Sequence, residues 1–231
     1  GDVAGTFDKA MTVSNLASGA KLNLTSADTD GSLFGTGAGD TLTVDAAISG
    51  ASEVTISPSS SYALTVYDLS LGTTYTTVTI DQEAEQDSTF TTSAGTKVTT
   101  LNIGGAKSTS AGVAYTDADM TFTNATFAAA TTVNIDSNAG DISFGGTTLS
   151  AAKLTTLNIV GDKTVGFGGA SGSTTTLLSD VNASTATGAI TFGASVDFAT
   201  SADIATGTGD DALNLVSTTN TSTTLNMGEK A

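Results

Sequence analysis

The chain has 231 residues, enough to bury one sizeable core or two small ones, and its 23 acidic against 7 basic residues give a net charge of −16. Such a surface repels phosphate backbones and anionic membranes, which argues against nucleic acid as a partner. With no His and no Cys, His-based triads, thiol nucleophiles and His/Cys zinc sites are ruled out.

No apolar run approaches the roughly 18 residues of a spanning helix, so membrane insertion is not expected. Thr accounts for 46 residues and Gly for 26, there is a single Pro, and every basic residue is Lys. Abundant Thr, Val and Ile favours strands, because β-branched side chains suit a pleated surface. Of the acids 19 are Asp, the shorter carboxylate, common in turns and a hard oxygen ligand for calcium. The first residue is Gly1 rather than Met, so a processed chain or a segment of a longer one is expected.

Residues 1–39 fit no internal period and are expected to form an N-terminal cap or part of an adjoining domain. Within them "DTDGS" alternates Asp28 and Asp30 as a calcium loop does at its opening. Gly31 is misplaced for an EF-hand and no Glu follows at the required distance. The same stretch holds Asp30-Gly31, a rare hairpin signal in this chain.

From residue 40 to 231 strand signals recur. Val54-Thr55-Ile56, Val78-Thr79-Ile80 and Leu101-Asn102-Ile103 lie 24 and 23 residues apart, a 32-residue step leads to Val133-Asn134-Ile135, and 24 more to Leu157-Asn158-Ile159. Leu213-Asn214-Leu215 and Leu225-Asn226-Met227 continue the series less regularly. Between them come Leu64-Thr65-Val66, Met120-Thr121-Phe122, Ile142-Ser143-Phe144, Val165-Gly166-Phe167 and Ile190-Thr191-Phe192.

A self-similar period near 23 predicts an all-β fold, a right-handed parallel β-solenoid with coils of about 23–24 residues. Strands at such spacing are also compatible with a β-sandwich, the alternative reading. In the recurring phrase "TTLNI" the Leu and Ile share one face and the Asn takes the other. Stacked coils would then align Leu on Leu and Asn on Asn. The 32-residue step predicts an inserted loop around Gly104–Asp119. In "YTDADMTF" that loop sets Asp117 and Asp119 on one side of an extended segment, as paired oxygen ligands would be. Helical signal is confined to Thr176–Ala183, a turn or two. Sequons occur at Asn23, Asn124, Asn182 and Asn220, and matter only in a host that glycosylates its surface proteins.

Two stretches pair glycine with Asp ahead of an apolar residue. In "TGTGDDALNL", Thr206–Leu215, Gly207 and Gly209 permit a tight turn with exposed carbonyls, Asp210 and Asp211 supply charge, and Leu213 anchors a strand. In "GTGAGDTLTVD", Gly35–Asp45, Asp40 and Leu42 keep the Asp-x-Leu spacing. Fainter copies precede strands at Asp141 and Asp162. The first stretch resembles the calcium-binding nonapeptide of RTX proteins, G-G-x-G-x-D-x-U-x. Gly207 and Gly209 fall on its second and fourth positions, Asp211 on its Asp and Leu213 on its apolar position, while Thr206 replaces its first Gly.

Together with the "TTLNI" phrases, the Asp bias and the missing Cys, this texture resembles bacterial S-layer proteins of the RTX, type I-secreted kind. The resemblance implies export to the cell surface, folding on meeting calcium, and assembly of copies of the chain into a lattice or filament. It also implies attachment to cell-surface polysaccharide or lipopolysaccharide through regions outside this sequence. The tandem nonapeptides of a full calcium roll are not present. The expected function is structural and non-enzymatic. The stalk of a secreted adhesin and a polysaccharide-acting β-helix enzyme are the alternatives.

Overall fold

The computed structural model describes residues 11–13, 17–24, 42–44, 53–58, 64–71, 75–81, 87–94, 97–105, 109–110, 113–114, 118–145, 149–168, 177–193, 196–214 and 222–228. These residues fold into two parallel sheets that the chain visits alternately, the path of a β-solenoid. Sheet A stacks β1 (Met11–Val13), β3 (Leu42–Val44), β5 (Leu64–Leu71), β7 (Ser88–Ala94), β11 (Met120–Thr126), β13 (Ile142–Phe144), β16 (Val165–Phe167), β18 (Ile190–Phe192) and β20 (Ala212–Leu213), with β14 (Leu149–Ser150) also beside β11. Sheet B stacks β2 (Ala20–Leu24), β4 (Glu53–Pro58), β6 (Thr77–Ile80), β8 (Thr100–Gly104), β12 (Thr132–Asp136), β15 (Thr156–Val160), β17 (Asp180–Asn182), β19 (Ser201–Ala205) and β21 (Ser222–Asn226). Nine rungs at roughly 4.8 Å each give a rod of about 40 Å.

Among the described residues every pairing within the two sheets is parallel, with the register shifting only where β7 meets β5 and β11, which excludes the sandwich with its antiparallel hairpins. In sheet B, Val54, Val78, Leu101, Val133, Leu157, Val181, Ile204 and Leu225 stand one above another. The two triplet series of the sequence are thus the two sheets: the "LNI" phrases lie on sheet B and the weaker triplets on sheet A. The described part of the first 39 residues adds one rung to each sheet, β1 on β3 and β2 on β4.

Alternation of side chains decides which face is inward. Along β6, β12 and β15 the apolar residues at the second and fourth positions are buried while the Thr and Asn on either side of them are half-exposed. The inward columns of both sheets form a single hydrophobic cluster. Sheet A contributes a pile of five rings, Phe90, Phe122, Phe144, Phe167 and Phe192, with centroid separations of 5.5, 5.1, 5.0 and 4.9 Å. Those separations sit near the rung spacing, so aromatic stacking and strand pairing reinforce each other. Phe198 closes the end of the pile edge-on at 5.6 Å.

The 32-residue coil carries its insertion as expected. It contains an antiparallel pair, β9 (Thr109–Ser110) and β10 (Val113–Ala114). Two readings are corrected. Within Thr176–Ala183 the described residues, 177–183, are not helical: they include strand β17, whose Val181 is buried beneath Ile204 and above Leu157. Its short apolar run lacks helical periodicity, and stacking against two existing rungs overrides weak local preference. Leu213-Asn214-Leu215 is not another "LNI" rung, because Leu213 pairs with Phe192 in sheet A. No α-helix occurs among the described residues.

Candidate functional site

The phrase "TTLNI", with the residue ahead of it, resolves into five jobs, two of them hydrogen bonds directed along the rod. The apolar residue ahead of it fills an inward corner, as Val98, Ala130 and Leu154 do. The first Thr ties its rung to the one before. Thr131 Oγ1 donates to Thr99 O at 3.2 Å, Thr155 Oγ1 to Thr131 O at 3.1 Å, and Ser179 Oγ to Thr155 O at 3.4 Å. The second Thr (Thr100, Thr132, Thr156) faces outward, and none of these three hydroxyls bonds to another described residue. Leu or Val and then Ile are buried, and the Asn between them builds an amide ladder.

In that ladder Asn158 Nδ2 donates to Asn134 Oδ1 at 2.8 Å, Asn134 Nδ2 to Asn102 Oδ1 at 2.8 Å, and Asn102 Nδ2 to Thr79 Oγ1 at 3.1 Å. Asn182 stands in register above Asn158, but its Oδ1 accepts from Ser184 Oγ instead. Asn134→Ala breaks two links at once and is expected to cost about 1–2 kcal/mol, since water reaches the half-exposed partners and repairs part of the loss. Urea denaturation followed by circular dichroism measures it, and a change near zero would mean the ladder only decorates the face.

Beside the ladder lies a shallow depression of about 330 Å³ lined by Asn102, Asn134, Asn158, Gly104, Gly105, Asp136 and Val160 together with Ile103 and Ile135. Gly104 opens it for a backbone reason. Its φ is +84°, and a Cβ there would strike Asp136 O, so no side chain fills the space. Asp136 is turned into its own bend, where Oδ1 accepts from Asn138 N at 3.1 Å and Asn138 Nδ2 at 2.6 Å. Val160, at the other side, is 41% exposed.

The Asp residues gather at the corner that leads into sheet A. Asp87 Oδ1 accepts from Asp119 N at 3.1 Å, Asp119 Oδ1 from Asp141 N at 2.9 Å, and Asp141 Oδ1 from Thr164 N at 2.7 Å. Each carboxylate therefore caps the first residue of the following rung, and the three stand in one column at rung spacing. Asp210 occupies the same column three rungs beyond Asp141, since Ala212 pairs with Thr191. Asp211 sits one place along, where other rungs bury Met120, Ile142, Val165 and Ile190, and its Oδ1 accepts from Ile190 N at 2.9 Å.

The glycines of the RTX-like stretch are held by packing. A Cβ on Gly207 would strike Ala186 O, and one on Gly209 would strike Gly188 O. Gly188 in turn lies against Lys163 O and Gly228 against Gly207 O, so successive corners stack backbone on backbone.

Of the residues singled out for calcium, Gly207, Gly209, Asp210 and Asp211 are brought together at one corner, and Asp119 is placed in the capping column. Asp28, Asp30, Asp40 and Asp117 lie outside the described residues. Among the described residues no three of His, Cys, Asp and Glu converge as metal ligands do, and the carboxylates with known partners spend an oxygen on backbone N–H groups.

Asp87 was the residue the sequence reading passed over. The signal is present: "DSTF" at Asp87, "DMTF" at Asp119 and "DISF" at Asp141 share Asp three places before a stacked Phe.

No family model, curated protein or solved structure matches this chain.

Proposed function

We propose that this is a non-enzymatic structural protein of the cell surface, a β-solenoid rod whose copies associate into an extracellular lattice or filament stabilised by calcium. The observation that carries the reading is the direction of its polar chemistry. The Thr hydroxyls at the corner, the Asn amides and the Asp carboxylates all reach along the rod to a neighbouring rung. Groups committed in that way serve rigidity and stacking, and a rigid rod with repeating faces is what an ordered array requires.

Calcium enters through the charge this arrangement accumulates. Asp87, Asp119 and Asp141 place three like charges in a column at rung spacing, within a chain of net charge −16. A cation bound along such a column, or at the Asp210–Asp211 corner, offsets repulsion that otherwise opposes the compact state. Export and surface location follow from the same reading, because calcium is abundant outside cells and scarce within them.

Electron microscopy and sedimentation of the purified chain in calcium and in EGTA test both parts. Ordered sheets or filaments in calcium, and a melting temperature lowered by several degrees in EGTA, are expected. Monodisperse rods under both conditions would overturn the assembly reading. A melting curve unmoved by EGTA would remove calcium from it.

A further inference from the structure

We propose that the outward face of sheet B between β6 and β15 is the surface on which a second copy of this chain docks. The inference rests on the self-association reading and gives it a location. Its first support is charge. The outward residues at the first and third positions of these four strands are Thr77, Thr79, Thr100, Asn102, Thr132, Asn134, Thr156 and Asn158, and none is ionisable, while the next outward position holds Asp136 on β12, between Gly104 and Val160. The rungs on either side return to acid, with Glu53 before them and Asp180 and Asp203 after them, all exposed. Two copies carrying −16 each repel over most approaches. Its eight Thr and Asn positions let them meet without setting carboxylate against carboxylate. Two acids stand at the margin of this patch: Asp136, the last residue of β12, which is drawn into its own bend by Asn138, and Asp81, which follows β6.

The second support is unspent hydrogen-bonding capacity. An amide has two N–H donors and two acceptor positions on its oxygen. Asn134 uses one donor toward Asn102 and one acceptor toward Asn158, so a donor and an acceptor remain. The hydroxyls of Thr100, Thr132 and Thr156 make no bond to another described residue. Each group offers donor and acceptor together, so the row is complementary to itself.

The third support is pitch. Donors and acceptors repeat here once per rung, roughly every 4.8 Å. A partner engages several at once only if it repeats at the same interval, and another copy of the same solenoid does. Val160, exposed at the margin of the depression over Gly104, adds an apolar contact that such docking would bury.

The test is a concentration series by sedimentation velocity on the whole chain. Thr156→Glu and Val160→Glu are made separately, and Thr191→Glu, on the exposed outward row of sheet A, serves as control. Melting curves confirm that each folds. Wild type and Thr191→Glu should associate alike, whereas Thr156→Glu and Val160→Glu should weaken association at least tenfold, because each sets two new charges face to face across the contact. Thr156→Ser should associate as wild type. If either Glu variant folds and still associates as wild type does, the docking face lies elsewhere and this inference is wrong while self-association stands. If wild type stays monomeric throughout, with calcium and without, the self-association reading itself fails.

Discussion

Phe144→Ala should lower unfolding stability by about 3–5 kcal/mol, the cost of removing a large buried ring from a core that cannot close over the gap. Phe144 is 1% exposed and lies between Phe122 at 5.1 Å and Phe167 at 5.0 Å, with interplanar angles of 15° and 5°. Its loss removes two stacking contacts as well as its own burial. The rungs above and below are held in register by backbone ladders, Ile142 to Val165 on one side and Met120 to Ile142 on the other. The pile therefore cannot slide together to fill the cavity.

Position along the rod matters too. In a stack where each rung touches only its neighbours, a central defect weakens two interfaces and a terminal one weakens a single interface. Phe198→Ala, at the edge-on end of the pile and 9% exposed, should cost about half as much as Phe144→Ala, because Phe198 has one ring neighbour where Phe144 has two. Urea denaturation of both variants gives the comparison. Equal losses would show that the rod unfolds as one indivisible unit, and a loss below about 1 kcal/mol at Phe144 would show that the core is able to relax.

Gly207→Ala should be destabilising by about 3 kcal/mol or more, because the new methyl meets a carbonyl of the rung beneath rather than the movable end of a side chain. The atom it meets is Ala186 O, and Ala186 C and Ala183 O are also close. Relief would require separating two rungs that Thr208 N and Ala183 N help to hold, through bonds to Ala186 O and Ala205 O. This loss should be the same in calcium and in EGTA, since it is steric. A loss seen only in calcium would assign Gly207 to a metal loop instead. Gly166→Ala is the matched control: no atom lies within 4 Å of the new methyl, so the change should stay within about 0.5 kcal/mol.

Much of the candidate site could be read from residue order. The period was visible in the "LNI" phrases, and with it the stacking of Asn on Asn, because side-chain alternation and coil length are both local properties. The insertion between Gly104 and Asp119 was visible as a longer step. Less legible were the rungs at Val181 and Ile204, whose strands "DVN" and "DIA" break the phrase. Neither has the Thr pair, and each is recruited by the buried columns already formed on Leu157 and beyond. The role of Asp119 was legible only in half. An Asp before a strand signals a turn or a ligand equally well, and the difference lies in what stands one rung away.

That division is general to this chain. By itself the sequence determined that it would be all-β, that its coils would run to 23–24 residues, and which side chains would share a face. Those properties depend on the two-residue alternation of a strand and on the recurrence of similar residues. Tertiary structure alone decided that the two triplet series belong to separate sheets and that Leu213 lies on Phe192 rather than on an "LNI" rung. It also decided that the glycines of the RTX-like stretch lie against backbone carbonyls and that the Asp column caps N–H groups. The physical reason is distance along the chain. Those partners stand 21 to 32 residues away, and only stacking of whole coils sets which atom meets which.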